Sequence, residues 1–458
     1  MLGKKDHQMT FVLLSLEDMI PEKHLLKKIN QLVNFQFIYE LAAPYYSAKG
    51  RPSIDPVIMV KMLLVGFLYG IKSERRLMEE IQLNLAYRWF CGLDLADTVP
   101  NHSIFSQNRR RRFHDDAFFR SIFTEIVMKC IEFDLVTAEE IVVDGTYLPA
   151  NVSKSSTTHV KQTVSKGMQS YLDALDQEFS EQPGFKKPEP EVKEVTVQVS
   201  TTDGDCRCIN HRDKKGIGYL METTVDCYCG IITGVDTFPA NQKESLILLR
   251  HLEKQMVSLN LRYNKLALDK GYDSGCIHRG LELMGIEGYI APVRYLNSPE
   301  SHGFTYSKPN DCFICPEGHT LDYHILSCSK STGKYLRCYQ TQRTDCKNCP
   351  QKIKCIGEKA VRRRILASSC YPAFYAGHER TKHSEYSIMM KKRAIWAEGS
   401  FSVLKREHGL GHIKKRGLQR VSEECLLSAT ALNLKRMVKS ILSLIYFRFY
   451  CTRETIVI

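Results

Sequence analysis

Glu140-Ile141-Val142-Val143-Asp144-Gly145-Thr146 is a run of strand-forming apolar residues that meets a carboxylate. Lys265-Leu266-Ala267-Leu268-Asp269 repeats the pattern and continues as Lys270-Gly271-Tyr272-Asp273. Short apolar runs of this kind read as buried strands. A carboxylate at the end of such a strand is costly unless something pairs with it. A hard cation such as Mg²⁺ takes oxygen ligands and needs only one or two carboxylates. Two such ions roughly 4 Å apart can activate a water or hydroxyl and stabilise a leaving oxygen in phosphoryl transfer. The plainer alternative is that each Asp serves as a turn or helix-cap residue.

Outward from these runs, strand patterns recur at 218–226 and 231–238, with a hairpin expected across Cys229-Gly230. A helix is expected over 243–259, a helix–strand pair over 276–291, and helices over 384–404 and 421–446. Strands mixed with helices point to an α/β core. Glu398 falls on one of those helices, with Lys391 and Lys405 each seven residues away. Two α-helical turns separate such residues, so the three are expected on one face, unless the stripe is merely solvated.

Two segments interrupt the core pattern. From 153 to 205 the composition turns polar, and a surface insertion with at most one helix, near 167–179, is expected. Between 304 and 357 cysteines crowd together: Cys312, Cys315, Cys328, Cys338, Cys346, Cys349 and Cys355. Cys312-x2-Cys315 and Cys346-x2-Cys349 are two knuckles suited to a tetrahedral Zn²⁺. A loop-rich insert of this size buries little apolar surface and gains from a metal staple. Free thiols, or an iron–sulfur cluster that uses Cys355, are the alternatives.

The first 125 residues read as helical. Ser53-Ile54-Asp55-Pro56 is a start signal, and Ile58, Val60, Met62, Leu63, Phe67 and Leu68 suit a buried helix. Helical patterns follow at 74–83 and 85–90, and Ser103 is expected to cap a helix ending in Arg109, Arg110, Arg111 and Arg112. That run suits contact with DNA, against a solvated helix end as the alternative. A second basic cluster follows the glutamate: Lys405, Arg406, His408, Lys414, Lys415, Arg416 and Arg420.

The whole-chain numbers agree. At 458 residues, more than one structural unit is expected. A net charge of +13 favours a polyanionic partner. The opening residues carry Lys4, Lys5, Asp6 and His7 and show no secretory signal. The apolar run 57–70 contains Lys61 and is too short to span a bilayer, so no membrane association is expected. Seventeen cysteines in a cytoplasmic protein argue for thiols and metal sites.

The segments Val142-Val143-Asp144-Gly145-Thr146, Leu268-Asp269-Lys270-Gly271-Tyr272-Asp273 and Glu398-Gly399-Ser400-Phe401-Ser402-Val403-Leu404-Lys405 resemble the three acidic motifs of DDE transposases of bacterial insertion sequences, above all the insertion-sequence 1182 group. Tyr219-Leu220, Thr224-Val225-Asp226, Pro239-Ala240-Asn241, His408-Gly409-Leu410 and Arg416-Gly417-Leu418 are similar too, as are Arg51-Pro52-Ser53 and Asn101-His102-Ser103.

The resemblance implies an RNase H-like catalytic core with an N-terminal helical domain and a cysteine-rich insertion. It further implies a transposase that cuts the ends of a mobile element and joins them to target DNA in the bacterial cytoplasm, at the nucleoid. Asp144, Asp269 and Glu398 would hold two Mg²⁺ or Mn²⁺ ions, with Asp273 competing with Asp269, and Lys405 would be the basic residue after the glutamate. DNA contacts would come from Lys405, Arg393, Lys391, Arg109, Arg110, Arg111, Arg112 and Arg416, and structural Zn²⁺ from four of Cys312, Cys315, Cys346, Cys349 and Cys355.

Relatives carry an arginine four residues before the glutamate, whereas here Ala394 stands there and Arg393 one earlier; a histidine of relatives is Glu222 here. The expected order is a DNA-binding helical domain (1–125), core (138–304), cysteine insertion (305–358) and core again (359–445), working as a homodimer on double-stranded DNA. A nuclease that never joins, and a non-catalytic DNA-binding protein, are the rival readings.

Overall fold

The computed structural model describes residues 14–47, 49, 53–153, 155–166, 170–186, 191–211, 214–293, 298–328 and 335–454; Arg51, Pro52, Gly167 and the run 187–190 fall outside them. The chain divides into two compact units. One comprises Met1–Phe133, Leu404–Leu410 and Leu426–Ile458, the other Asp134–Val403 and Gly411–Cys425.

The first unit is helical: α1 (Leu25–Leu32), α2 (Phe37–Ala42), α3 (Pro56–Leu68), α4 (Glu74–Leu83), α5 (Leu85–Cys91), α6 (His102–Arg112) and α7 (Ala117–Glu132). Pro56 opens α3, and the Asp55 carboxylate accepts from the Val57 and Ile58 amides at 2.7 and 3.1 Å. A proline at the first helical position and an aspartate cap are what a helix start requires. The body of α3 is apolar nearly all round and is buried accordingly, from Met59 to Val65 with Lys61 as the break. The cap of α6 is Asn101 rather than Ser103: its side chain accepts from the Ser103 amide at 2.9 Å, and the helix begins one residue before the expected cap.

The second unit is built on a six-stranded sheet formed by β1 (Glu140–Pro149), β4 (Arg207–His211), β5 (Lys214–Asp226), β6 (Ile232–Pro239), β7 (Lys265–Leu268) and β8 (Glu287–Ile290). Its order is β4-β5-β1-β7-β8, with β6 also on β5. β1 pairs antiparallel with β5 and parallel with β7, and β7 pairs parallel with β8. The β5–β6 hairpin turns at Cys229-Gly230, where Gly230 has φ 74°. Ile141, Val143, Leu266 and Leu268 share one face of the sheet and pack with Leu248, Leu252, Ile277 and Leu281 of α9 (Glu244–Leu259) and α10 (Gly275–Leu283). Alternation along the strands therefore turns Val142, Asp144, Ala267 and Asp269 to the other face.

The two interruptions are more ordered than composition suggests. The polar insertion holds β2 (Thr157–Lys166) paired antiparallel with β3 (Glu191–Ser200), besides the one helix foreseen, α8 (Asp173–Ser180). The cysteine block is a five-stranded antiparallel sheet instead of a loop-rich insert: β9 (Thr305–Ser307), β10 (Cys312–Ile314), β11 (Thr320–Cys328), β12 (Tyr335–Gln340) and β13 (Arg364–Ser368). Phe304, Tyr306, Phe313, Leu321, Tyr339, Ile365 and Tyr371 give it a largely aromatic core, so apolar burial holds it. The short helix α11 (Lys352–Ile356) belongs to this block, and α12 (Tyr371–Arg380) and α13 (Ser384–Arg393) follow it. Among the described residues no helix is long and apolar enough to cross a membrane.

His408, in the helical unit, is 3% exposed, and burial, with Lys435 nearby, holds its imidazole down to about 4. Its folded value lies below the unfolded one, so its neutral form contributes stability above pH 6.5 that is lost as pH falls towards 4. The loss is on the order of 3 kcal/mol. Urea unfolding of the full chain between pH 7 and 4.5 should show a shallower loss of stability in His408→Asn than in the unsubstituted protein; equal slopes would remove the imidazole from this role.

Candidate functional site

Register assembles the site. Val142 of β1 lies opposite Ala267 of β7 in parallel pairing, and two residues further along each strand stand Asp144 and Asp269. Asp144 is largely buried, with 14% of its side chain exposed. Asp269 is half-buried and accepts from the Gly271 amide at 2.7 Å. Burial pushes the Asp144 carboxyl up to about 6; Arg393 opposes the shift, and the charges of Asp269 and Glu244 add to it.

The helix that carries the third acid lies on the same face. Lys265 pairs with Glu385, Lys392 with Glu140, and Arg393 Nη2 with Asp144 Oδ2 at 2.8 Å. α13 thus runs along β1 and β7 towards the two aspartates, Asp144 within β1 and Asp269 just past β7. It continues as a π turn, Ala394–Glu398, and then as α14 (Gly399–Arg406). In a π turn the hydrogen bond spans five residues, so residues five apart align as residues four apart do in an α-helix. Arg393 and Glu398 are five apart, the spacing that this turn brings into line, and Arg393 rather than Ala394 is the residue that meets Asp144. Glu398 itself is exposed, one turn beyond the Arg393–Asp144 pair.

The same turn breaks the expected stripe. Lys391 is exposed on α13, but the extra residue per turn rotates it out of phase with Glu398. The turn is fixed by Trp396, whose ring occupies the space beside Gly230; a Cβ at that glycine would lie 2.2 Å from Trp396 Cζ3.

Behind Asp144 is a second acidic pair, Glu222 and Glu244, of which the sequence singled out only Glu222. Glu222 stands opposite Gly145 in the β1–β5 register and is fully buried. Burial, then Glu244 and Asp236, raise its carboxyl well above the usual range, and the Tyr272 hydroxyl donates to Oε1 at 3.4 Å. Gly145 leaves room for Glu244, whose Oε1 would meet a Cβ at 2.5 Å. Asp273 has a different environment: its side chain is wholly buried against His278, His378 and the Val293 amide, while Asp269 flanks Asp144. Asp226 is structural, accepting from the Thr137, Ala138 and Tyr228 amides.

The arginine run divides. Arg109 is 5% exposed and its Nη2 meets Glu74 Oε1 at 2.6 Å, so a residue expected on DNA is instead an internal ion pair of the helical unit. Arg112 lies 4.0 Å over the Tyr46 ring and donates to the Tyr45 carbonyl at 3.1 Å. Arg110 and Arg111 are exposed. In the second unit, Arg416 Nε donates to the Asn151 carbonyl at 2.9 Å. Lys405 lies near the end of α14.

In the cysteine sheet, Cys315, Cys346, Cys349 and Cys355 line one cavity of about 390 Å³ together with His302 and His319; Cys312 does not. The His319 amide donates to Cys315 Sγ at 3.3 Å. Burial raises the Cys355 thiol, Arg363 opposes it, and Cys346, Cys349 and Cys315 contribute through their charges. Four thiols around one cavity are a donor set for a soft or borderline cation.

Residues 14–111 match a family model described as a transposase domain, and residues 314–438 match one described as a transposase DDE domain. Glu398 falls within the second match; Asp144 and Asp269 fall outside both. No curated protein matches the chain. Among solved structures, the piggyBac transposase synaptic complex with hairpin DNA is similar at 10% identity and TM-score 0.30, covering 91% of this chain and 81% of that one. The Mos1 transposase paired-end complex with the left transposon end is similar at 10% identity and TM-score 0.16, covering 53% and 60%.

The split of the arginine run is testable. Arg109→Ala should destabilise the protein by about 2 kcal/mol, because it strands Glu74. Arg110→Ala/Arg111→Ala should leave unfolding unchanged and lower affinity for duplex DNA, with a shallower salt dependence. Denaturation and a salt series of binding isotherms check both, and the reverse pattern would reassign the residues.

Proposed function

Two transposase domain matches make this chain a DDE transposase of the insertion-sequence type, and from that premise we propose that it cuts the ends of a DNA element and joins them to new DNA at Asp144, Asp269 and Glu398. The observation that carries this reading is the parallel pairing of β1 with β7: two residues beyond its Val142–Ala267 pair stand Asp144, within β1, and Asp269, just past β7. A sheet in which three antiparallel strands precede two parallel ones, in the order β6-β5-β1-β7-β8, supports an RNase H-like core.

The donor set suits hard divalent cations, Mg²⁺ or Mn²⁺. Asp144 is a largely buried carboxylate whose charge is opposed by burial and by a second carboxylate, and a cation relieves both. Asp144, Asp269 and Glu398 would hold two such ions, which would supply Lewis-acid polarisation of a phosphodiester and charge stabilisation for the leaving oxygen. Arg393 holds Asp144 in position and keeps positive charge beside the strand ends. Glu398, exposed one turn beyond Arg393 on the same helix, is the proposed third ligand. Arg110, Arg111, Lys391, Lys405 and Arg416 supply phosphate contacts, which position a duplex without reading its sequence. Joining both ends of an element requires two copies, so a homodimer on DNA belongs to the same proposal. Cys315, Cys346, Cys349 and Cys355 are the four thiols suited to a structural Zn²⁺.

With Mg²⁺ or Mn²⁺ and labelled element-end DNA, the protein should nick the end and transfer its 3′-hydroxyl into a second duplex. Asp144→Asn should lower cleavage roughly a thousandfold while DNA binding persists. Cleavage that survives in Asp144→Asn would overturn the site, and cleavage without transfer would make the protein a nuclease.

Cys346→Ser/Cys349→Ser should lose one zinc per chain by elemental analysis and lower the unfolding temperature. An unchanged zinc content would leave these thiols free.

A further inference from the structure

Four residues beyond Asp269 the chain buries a polar cluster that the phosphoryl-transfer reading does not use. Asp273 has no exposed side-chain surface, and His278 Nε2 lies 3.0 Å from its Oδ1. His378 Nε2 lies 3.0 Å from the same oxygen and 3.1 Å from Oδ2, and the Val293 amide donates to Oδ2 at 2.8 Å. One donor atom from each of Asp273, His278 and His378 lies within 4.8 Å of the others; among the described residues no other three His, Cys, Asp or Glu side chains do this.

We propose that Asp273, His278 and His378 form a zinc site that clamps the segment carrying Asp269. Zinc holds imidazole nitrogen at about 2.0–2.1 Å and carboxylate oxygen at about 2.0–2.2 Å in tetrahedral array, so its donor atoms stand a little over 3 Å apart. The two distances from Asp273 Oδ1 to the imidazole nitrogens, each 3.0 Å, are close to that spacing, and the nitrogens lie within 4.8 Å of each other. Two imidazoles and one carboxylate suit zinc better than magnesium, which prefers oxygen throughout.

The ring positions are fixed by packing. His278 lies so close to the backbone of Gly377 that a Cβ there would come 2.1 Å from Nδ1; a larger residue at 377 would displace the ring. Phe374 lies against His378 with ring centroids 4.1 Å apart and planes tilted by 38°.

The site has an entry. His378 keeps 28% of its side chain exposed and lines a cavity of about 260 Å³ with Val293, Phe374 and Glu379. A fourth ligand position on that side can be filled by water.

The three residues come from separate segments: the loop after Asp269, α10, and α12. An ion there ties all three, and through the Val293 amide the chain after β8, into one support for the strand end at which Asp269 sits. The inference does not depend on the chemistry performed at Asp144 and Asp269.

Zinc content of the purified full chain, measured by elemental analysis, tests it. In Cys346→Ser/Cys349→Ser, which removes the thiol site, one zinc per chain should remain, and adding His378→Ala should remove it. Cobalt titrated into Cys346→Ser/Cys349→Ser after chelation should give visible bands of a nitrogen- and oxygen-ligated ion without thiolate charge-transfer absorption. Should the cysteine variant fail to fold, His378→Ala alone should hold one zinc fewer per chain than the unsubstituted protein; this partly exposed histidine is the gentlest of the three to remove. Equal zinc content with and without His378, or cobalt bands carrying only thiolate character, would overturn the site and leave Asp273 as the acceptor of a hydrogen-bonded tie between helices.

Discussion

The parallel pairing of Glu140–Val142 with Lys265–Ala267 is the constraint on which the functional reading depends. It fixes that Asp144 and Asp269 stand level, two residues beyond the last pair, and because side chains alternate along a strand, it also fixes which face they share. A slip of one residue would turn Asp144 or Asp269 into the apolar face that holds Ile141, Val143, Leu266 and Leu268. The apolar residues that bury that face therefore enforce the position of the two acids. Packing and site are one register, and the core energy that selects the register also keeps two carboxylates close against their mutual repulsion.

The helix across the other face meets a second constraint, one of phase. Three ion pairs, Lys265–Glu385, Lys392–Glu140 and Arg393–Asp144, tie it to β1 and β7. A regular α-helix would point Arg393 and Glu398 in different directions. The π turn brings them into line, and Trp396 seated beside Gly230 holds that turn. π turns are uncommon and occur frequently at functional sites; here the reason is visible in the five-residue spacing.

The strand runs around Asp144 and Asp269 and the hairpin at Cys229-Gly230 were legible in the sequence, because apolar runs and a glycine turn are local signals. Other features were not local. The phase of the glutamate helix was misread because a π turn has no sequence signature, and a seven-residue spacing implied a shared face for Lys391 and Glu398 that the turn abolishes. Arg109 looked like its neighbours in a charge run, yet Glu74, far away in the chain, draws it inside. β2 and β3 were hidden by polarity, although Val195, Val197 and Val199 at alternate positions of β3 were a usable sign. The five-stranded cysteine sheet was read as loops because its core is aromatic and spread from Phe304 to Tyr371. The Asp273, His278 and His378 cluster joins residues 105 positions apart, which no motif could have announced.

The most direct measurement of the central claim is anomalous X-ray scattering from Mn²⁺ in crystals of the full chain. The account predicts a manganese peak between the carboxylates of Asp144 and Asp269, with Glu398 drawn towards it and Arg393 shifted from its 2.8 Å contact. A manganese peak elsewhere, with the Asp144–Arg393 pair intact and no ion between Asp144 and Asp269, would contradict it.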